Sequence, residues 1–280
     1  MGAHGWSARR ACRVIGLERS SWNYEPRPER SEDEALRLRI RELAARYPRY
    51  GHPMIHDLIR REGRRVNHKR TYRLYREEKL SLRLKHRKKK MRHLREAPPV
   101  PDRPDEVWSM DFIHDQLLSS RWFKSLTILD HCTRESPGGE TAHSISGERV
   151  VAVLEGLRLH QGRLPKVLLL DNGPEFTSRA LAGWASRHGV RLLFIEPGRP
   201  TQHGHIESFN GRFRDECLNQ HWFSSIEEAR LVVDAWRRQY NSERPHSGLG
   251  GRTPKEVADD FKRMLENQSN APGQRSEMVQ

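Results

Sequence analysis

Apolar positions along the chain follow two regimes that meet near residue 104. Upstream they recur at helical spacing. Residues 8–22 read as two short helices around a Gly16-Leu17 turn, the second opening near Ser20-Ser21, an arrangement like part of a helix-turn-helix. From Ser31, Leu36, Leu38, Ile40, Leu43 and Ala44 mark a partly apolar helix face that Tyr47-Pro48 closes. Ile55, Leu58 and Ile59 mark another helix, ended by Gly63. Asn67 caps a third from His68 to about Lys79, with Tyr72, Leu74 and Tyr75 expected on its buried side. Four prolines between Ala97 and Pro104 predict an extended linker.

Downstream the pattern changes to strands. Val107 to Ile113 and Trp122 to Leu129 read as adjacent buried strands, and a third is expected around Glu135 to Ala142, with Pro137-Gly138-Gly139 as poor strand chemistry inside it. A helix over Gly147 to His160 leads to Val167–Leu170, a short wholly apolar run typical of a central strand. A helix over Ser178 to His188, a strand over Val190 to Ile195 and a helix over Ile206 to Cys217 follow. Amphipathic helices over Ile226 to Tyr240 and Glu256 to Leu265 complete the pattern, and the tail from Asn267 lacks periodicity. This order predicts a mixed α/β core behind a small helical domain. The expected division is 1–30, a partial helix-turn-helix; 31–96, a basic helical domain; 97–106, the linker; 107–265, the core with its C-terminal helices; and 266–280, a disordered tail.

Charge gives the two regimes different partners. Residues 1–104 hold 29 Lys/Arg against 13 Asp/Glu, a net of +16, whereas residues 105–280 hold 22 against 24, a net of −2. A basic module tethered to a nearly neutral one suits a polyanion, and short helices ending in a basic one fit duplex DNA. Eight of the thirteen residues from Arg83 to Arg95 are Lys or Arg and none is acidic, which points to phosphate contact. The candidate DNA contacts are Asn67, Lys69, Arg70, Arg73, Lys88, Lys89 and Lys90. Cys12, Cys132 and Cys217 form no Cys-x-x-Cys pair, which argues against a zinc ribbon or a disulfide framework. No apolar run reaches the roughly 18 residues of a membrane span. A cytoplasmic, nucleoid-associated protein is expected.

Three carboxylates occupy special positions. Asp111 interrupts an apolar strand between Met110 and Phe112, a costly place unless a cation meets it. Asp171 ends the central strand before an Asn172-Gly173 turn, at the sheet edge where α/β folds place ligands. Glu207 opens a helix whose apolar side is Ile206, Phe209, Phe213 and Cys217, leaving Glu207, Asn210 and Arg214 on a polar face, the last two as candidate DNA contacts. Three converging carboxylates repel one another, and divalent cations are the simplest remedy. Two such ions could clamp the attacking and leaving oxygens of a phosphodiester.

The surrounding segments are Trp108-Ser109-Met110-Asp111-Phe112, Asp171-Asn172-Gly173-Pro174-Glu175-Phe176 and Ile206-Glu207-Ser208-Phe209-Asn210-Gly211. They resemble the signature segments of insertion-sequence transposases with a retroviral-integrase-like core, and thirty-five residues lie between Asp171 and Glu207, the family spacing. Residues 212–219, 240–249, Tyr50-Gly51 and 67–70 extend the resemblance. It implies a ribonuclease-H-like fold and a DDE-type DNA strand transferase. Asp111, Asp171 and Glu207 would be its catalytic and metal-binding residues, with two Mg²⁺ ions for which Mn²⁺ substitutes. It further implies double-stranded DNA, both element ends and target, as partner, homo-oligomers on DNA, and a downstream reading frame served by an upstream-frame helper or a frameshift fusion.

Four departures from the family pattern stand out: His203 and His205, His52-Pro53-Met54, His131-Cys132, and Pro137-Gly138-Gly139. They predict partial degeneracy, centred on a weakened third strand. Two alternatives stay open at this stage, a catalytically impaired DNA-binding relative and a ribonuclease-H-like nuclease.

Overall fold

The computed structural model describes residues 6–23, 31–82, 101–195 and 204–270. The Arg83–Arg95 tract with Lys88, Lys89 and Lys90, and His203, therefore lie outside the described residues. Two short helices come first, α1 (Ala8–Ile15), capped by Ser7 and closed by Gly16 at a φ of 67°, and α2 (Arg19–Trp22). Three more, α3 (Ser31–Arg46), α4 (His52–Arg61) and α5 (His68–Glu77), pack Leu36, Ile40, Leu43, Ile55, Ile59 and Leu74 into a small core of their own. Asn67 caps α5 as expected, accepting a 2.9 Å bond from the Lys69 amide. Tyr72 does not join that core. It is 43% exposed, with its ring 4.7 Å from His52, and Thr71 is buried instead, its hydroxyl 3.0 Å from His56 Nδ1.

The catalytic half is a five-stranded sheet in the order β3-β2-β1-β4-β5. Strands β1 (Val107–Gln116), β2 (Trp122–Asp130) and β3 (Gly139–Ala142) form an antiparallel meander. Helix α6 (Gly147–Gln161) crosses to β4 (Val167–Leu170), parallel to β1, and α7 (Arg179–His188) crosses to β5 (Arg191–Phe194), parallel to β4. The remaining helices are α8 (Gly204–Glu216), α9 (Ile226–Ser242) and α10 (Pro254–Asn270). Helix α10 continues past residue 265, so residues 266–270 are helical rather than part of a tail. Because neighbouring strand residues face opposite ways, Trp108 and Met110 bury against α6 and α7 while Ile113 and Phe123 bury against α8 and α9. This mixed sheet, covered by helices on both faces, is the ribonuclease-H-like fold.

The third strand begins four residues later than the pattern predicts, and its glycines have a reason. A Cβ on Gly138 would lie 2.8 Å from Leu157 Cδ2, and one on Gly139 would lie 2.6 Å from the Leu126 carbonyl oxygen. The chain must pass this close to α6 and β2 before it can pair. Residues 135–138 are thus a packed approach to the strand, and the expectation of a degenerate segment fails on steric grounds.

The helical domain is seated on the C-terminal helices. Tyr47 donates a 2.6 Å bond to Glu243, and Arg61 bridges Glu256 through bonds of 2.6 and 2.7 Å. Beneath them Arg244, nearly inaccessible, donates to both oxygens of Glu216 at 2.6 and 2.8 Å, its guanidinium 5.7 Å from the Tyr50 ring and 5.8 Å from that of Tyr240. Removing one member of such a pair strands a buried charge. Glu216→Gln is expected to lower stability by about 3 kcal/mol, and a denaturant melt with an unchanged midpoint would contradict it.

Candidate active site

Asp111 occupies the position of β1 whose side chain turns toward α8. Its Oδ1 accepts from the Phe112 amide at 2.7 Å and its Oδ2 from Asn210 Nδ2 at 2.8 Å. Burial raises its pKa to about 6, and the charges of Asp171 and Glu207 push the same way, while the two donors favour the ionised form. Asp171 follows β4 directly, is exposed, and accepts at Oδ1 from the Gly173 amide at 3.1 Å. Asn172 anchors this turn to the end of β5 by donating to the Ile195 carbonyl at 3.1 Å. A side chain at Gly173 would come within 3.1 Å of Asp171 Oδ1 and 3.4 Å of Glu175 Oε2, so the turn needs a bare backbone there.

Glu207 stands exposed in the first turn of α8, which buries Ile206, Phe209 and Phe213 against the sheet. Two bonds fasten this helix along β1, Asn210 to Asp111 and Arg214 Nη2 to the His114 carbonyl at 2.8 Å. The candidate DNA contacts Asn210 and Arg214 are thus already committed to the strand that carries Asp111. Asn210 Oδ1 is buried with no hydrogen-bond partner among the described residues, an acceptor left over beside three carboxylates. Among the described residues no three His, Cys, Asp or Glu side chains draw close enough to hold a metal ion, so the triad is gathered but not closed.

In the helical domain, Arg70 meets Asp33 at 2.6 Å and Arg73 meets the other oxygen of Asp33 at 2.9 Å. These arginines bind α5 to α3, which leaves Lys69 as the candidate DNA contact on α5 without such a tie among the described residues. One local charge pair has no counterpart in the sequence pattern. Lys124 pairs with Glu175 and lies 4.6 Å from the centre of the Phe112 ring, which stacks on Phe176 at 4.9 Å. Burial works against ionisation of Glu175, but the Lys124 ammonium holds its carboxyl below the ordinary range. This pair braces the Asp171 turn against β2. Two of the unusual histidines also meet, the rings of His131 and His205 lying edge to face at 5.0 Å. Each departure supplies the other's packing partner.

Comparison with known proteins agrees with this geometry. The Integrase core domain family matches residues 101–200 and 188–254, and the HTH-like domain family matches residues 31–90. The chain is 47% identical over 252 residues to the 31.7 kDa protein of insertion element IS407 from Burkholderia multivorans, covering 90% of each chain. It is 44% identical over 261 residues to the 39.2 kDa protein of insertion element IS476 from Xanthomonas euvesicatoria, covering 93% of this chain and 75% of that one. The chain belongs to the integrase-core family of insertion-sequence transposases. A transposase of the insertion sequence IS150 from Escherichia coli is 27% identical over 223 residues, covering 74% of this chain and 76% of that protein. A simian T-cell lymphotropic virus intasome chain aligns over 78% of this transposase and 74% of its own length at 16% identity, with a TM-score of 0.49.

The raised Asp111 pKa sets a pH-dependent cost on this transposase. The native carboxyl keeps its proton up to about pH 6, whereas in the unfolded chain it ionises near pH ~4. Between those values the native state binds more protons, so the unfolding free energy falls as pH rises and the whole penalty is present above pH 6. In metal-free buffer Asp111→Asn is expected to stabilise the fold at pH ~7 by about 1–3 kcal/mol, and to lose that gain below about pH 4. Paired melts at the two pH values check this, and an equal gain at both would assign it to something other than charge.

Proposed function

We propose that this transposase cuts and joins DNA by divalent-metal-dependent phosphoryl transfer, with Asp111, Asp171 and Glu207 as the metal-binding residues. The observation that carries the reading is the half-buried Asp111, raised by burial and by two neighbouring carboxylates, beside the unpartnered Asn210 Oδ1. This donor set is all hard oxygen and in excess of positive charge, the chemistry that suits magnesium or manganese. Bound there, such ions would supply Lewis acidity at the attacking and leaving oxygens of a phosphodiester.

The chain's own residues do the positioning. The β1 backbone and Asn210 fix both oxygens of Asp111, the Gly173 turn aims Asp171 outward, and α8 presents Glu207 from the side. The Asp171 turn is backed by Lys124 and Glu175, which hold it while the exposed edge receives DNA. The proposed order is water attack to free a 3′ end, then attack of that 3′-hydroxyl on a target phosphodiester, with no covalent protein intermediate. Nearby cationic helices supply sequence-independent grip through Lys69 and the Lys88–Lys90 cluster. The proposed assembly is a homo-oligomer on DNA, with the upstream-frame product as helper or fusion partner.

The test is cleavage of a labelled duplex carrying the element end by the purified protein. Mg²⁺ or Mn²⁺ should support nicking, and Ca²⁺ should allow DNA binding with at most about one-hundredth of the rate, because its longer, looser coordination spoils in-line geometry. Equal cleavage in Ca²⁺ or in chelator would remove metal dependence from the account.

A further inference from the structure

A second polar centre lies along a different line of α8 from Glu207, Asn210 and Arg214. Residues 212 and 216, four apart, face the segment that follows α9. Here Arg134 from the turn after β2, Arg212 from α8, and Arg244 and His246 from that segment surround the buried ring of Tyr240, which meets the His246 ring edge to face at 4.8 Å. Three guanidinium groups share one carboxylate, Glu216, and Arg244 already takes both of its oxygens. Asp130, whose charge also acts on Arg134, is spent on the amides of Asp105, Cys132 and Thr133 and on Arg163.

What remains is positive charge without a partner. Arg134 Nη1 is buried and bonds to nothing among the described residues, and the same is true of Nε2 of His246, a side chain only 5% exposed. Arg212, half-buried, likewise has no hydrogen bond or ion pair among the described residues. Arg134 holds this place at a φ of 63°, a left-handed conformation that costs an arginine backbone strain. Burial first, then Arg244, Arg212 and Arg134, push the His246 imidazole down to about 3. A bridging water could satisfy one orphan nitrogen on each side, yet it would leave two like charges uncompensated in a partly dry site. An anion with several oxygens answers both needs, since guanidinium forks match phosphate oxygens.

We propose that Arg134, Arg212 and His246 form a subsite for one phosphate group, separate from the carboxylate triad. The group comes either from free inorganic phosphate or from a phosphodiester of bound DNA, and only the second source rests on the transposase reading. A phosphate seated there would give this face of α8 a fixed point on the DNA backbone while the opposite face presents Glu207.

The test uses the full chain, Arg134→Gln/Arg212→Gln, and Arg212→Gln alone, which alters a half-buried side chain with little risk to folding. In melts at constant ionic strength with chloride exchanged for inorganic phosphate, the unaltered chain should gain melting temperature saturably. Arg212→Gln should weaken that response several-fold and the double variant should abolish it, while melting at or above the unaltered chain in chloride because two unpaired like charges are gone. If the source is DNA, the double variant should lose about tenfold in duplex affinity at moderate salt, with a salt slope shallower by about one to two. If the source is free phosphate, duplex affinity stays unchanged and the melting response alone carries the subsite. Three results would overturn it: a double variant that melts lower in chloride, a phosphate response that survives both substitutions, or an unaltered chain that shows neither response. None of these readouts involves strand cutting or joining, so failure here leaves the metal-dependent chemistry standing, and failure there leaves this subsite testable.

Discussion

Gly139→Val is expected to cost the catalytic half more than about 3 kcal/mol, a fall in melting temperature on the order of 10 °C. A Cβ at this position would sit 2.6 Å from the carbonyl oxygen of Leu126, which belongs to the paired backbone of β2 and cannot rotate away. At Gly138 the obstacle is different, since the added atom would meet Leu157 Cδ2 at 2.8 Å, the far end of a side chain that can change rotamer. Gly138→Ala should therefore cost only about 1 kcal/mol. Gly156 supplies the contrast, because an added Cβ there meets nothing within 4 Å in the middle of α6. Gly156→Ala should stabilise by about 0.5–1 kcal/mol through helix propensity. The ordering of the three melts is the check, and a Gly139→Val chain as stable as the native one would restore the idea of a degenerate third strand.

That reversal shows where reading the sequence succeeds and where it stops. Local signals carried well. The apolar run Val167–Leu170 is β4 to the residue, and Asn67 and Ser178 cap helices where their side chains say they should. The triad positions were legible because each pairs a carboxylate with a local oddity, a charge inside an apolar strand, a turn at a strand end, or a polar face on an apolar helix. Contacts made across long stretches of chain were not. Lys124 and Glu175 are 51 residues apart, and Arg70 and Asp33 are 37 apart, so no periodicity links them. The basic face of α5 looked free for DNA for that reason. Pro137-Gly138-Gly139 misled because glycine in a strand signals weakness on average, whereas here the approaching backbone of β2 and the Leu157 side chain require it.

The largest functional effects are expected at the triad. Asp111→Asn, Asp171→Asn and Glu207→Gln should each reduce strand cleavage and joining by at least about a thousandfold, while duplex affinity changes less than about threefold. Each replacement keeps the shape of the side chain and removes an anionic oxygen. For Asp111 the Asn side chain can still accept from the Phe112 amide or the Asn210 amide, so the loss belongs to metal placement rather than to folding. The raised stability expected of Asp111→Asn at neutral pH sharpens the point, since an inactive variant that is more stable than its parent cannot be explained as misfolded. Asp171 and Glu207 are exposed, so their replacements should leave the melting temperature within about 2 °C.

The central claim is tested most directly by joining itself. A duplex carrying an already exposed 3′-hydroxyl end is mixed with target plasmid, Mg²⁺ and the purified transposase, and joined products are counted for the native chain, Asp171→Asn and Glu175→Gln. Glu175 lies beside Asp171, shares its turn and is held by Lys124, so its loss perturbs the support without removing a metal ligand. The native chain should join ends, Glu175→Gln should retain joining within about tenfold, and Asp171→Asn should yield none above background. Joining by Asp171→Asn at the native level, or a loss at Glu175→Gln as complete as at Asp171→Asn, would contradict the assignment of the active site.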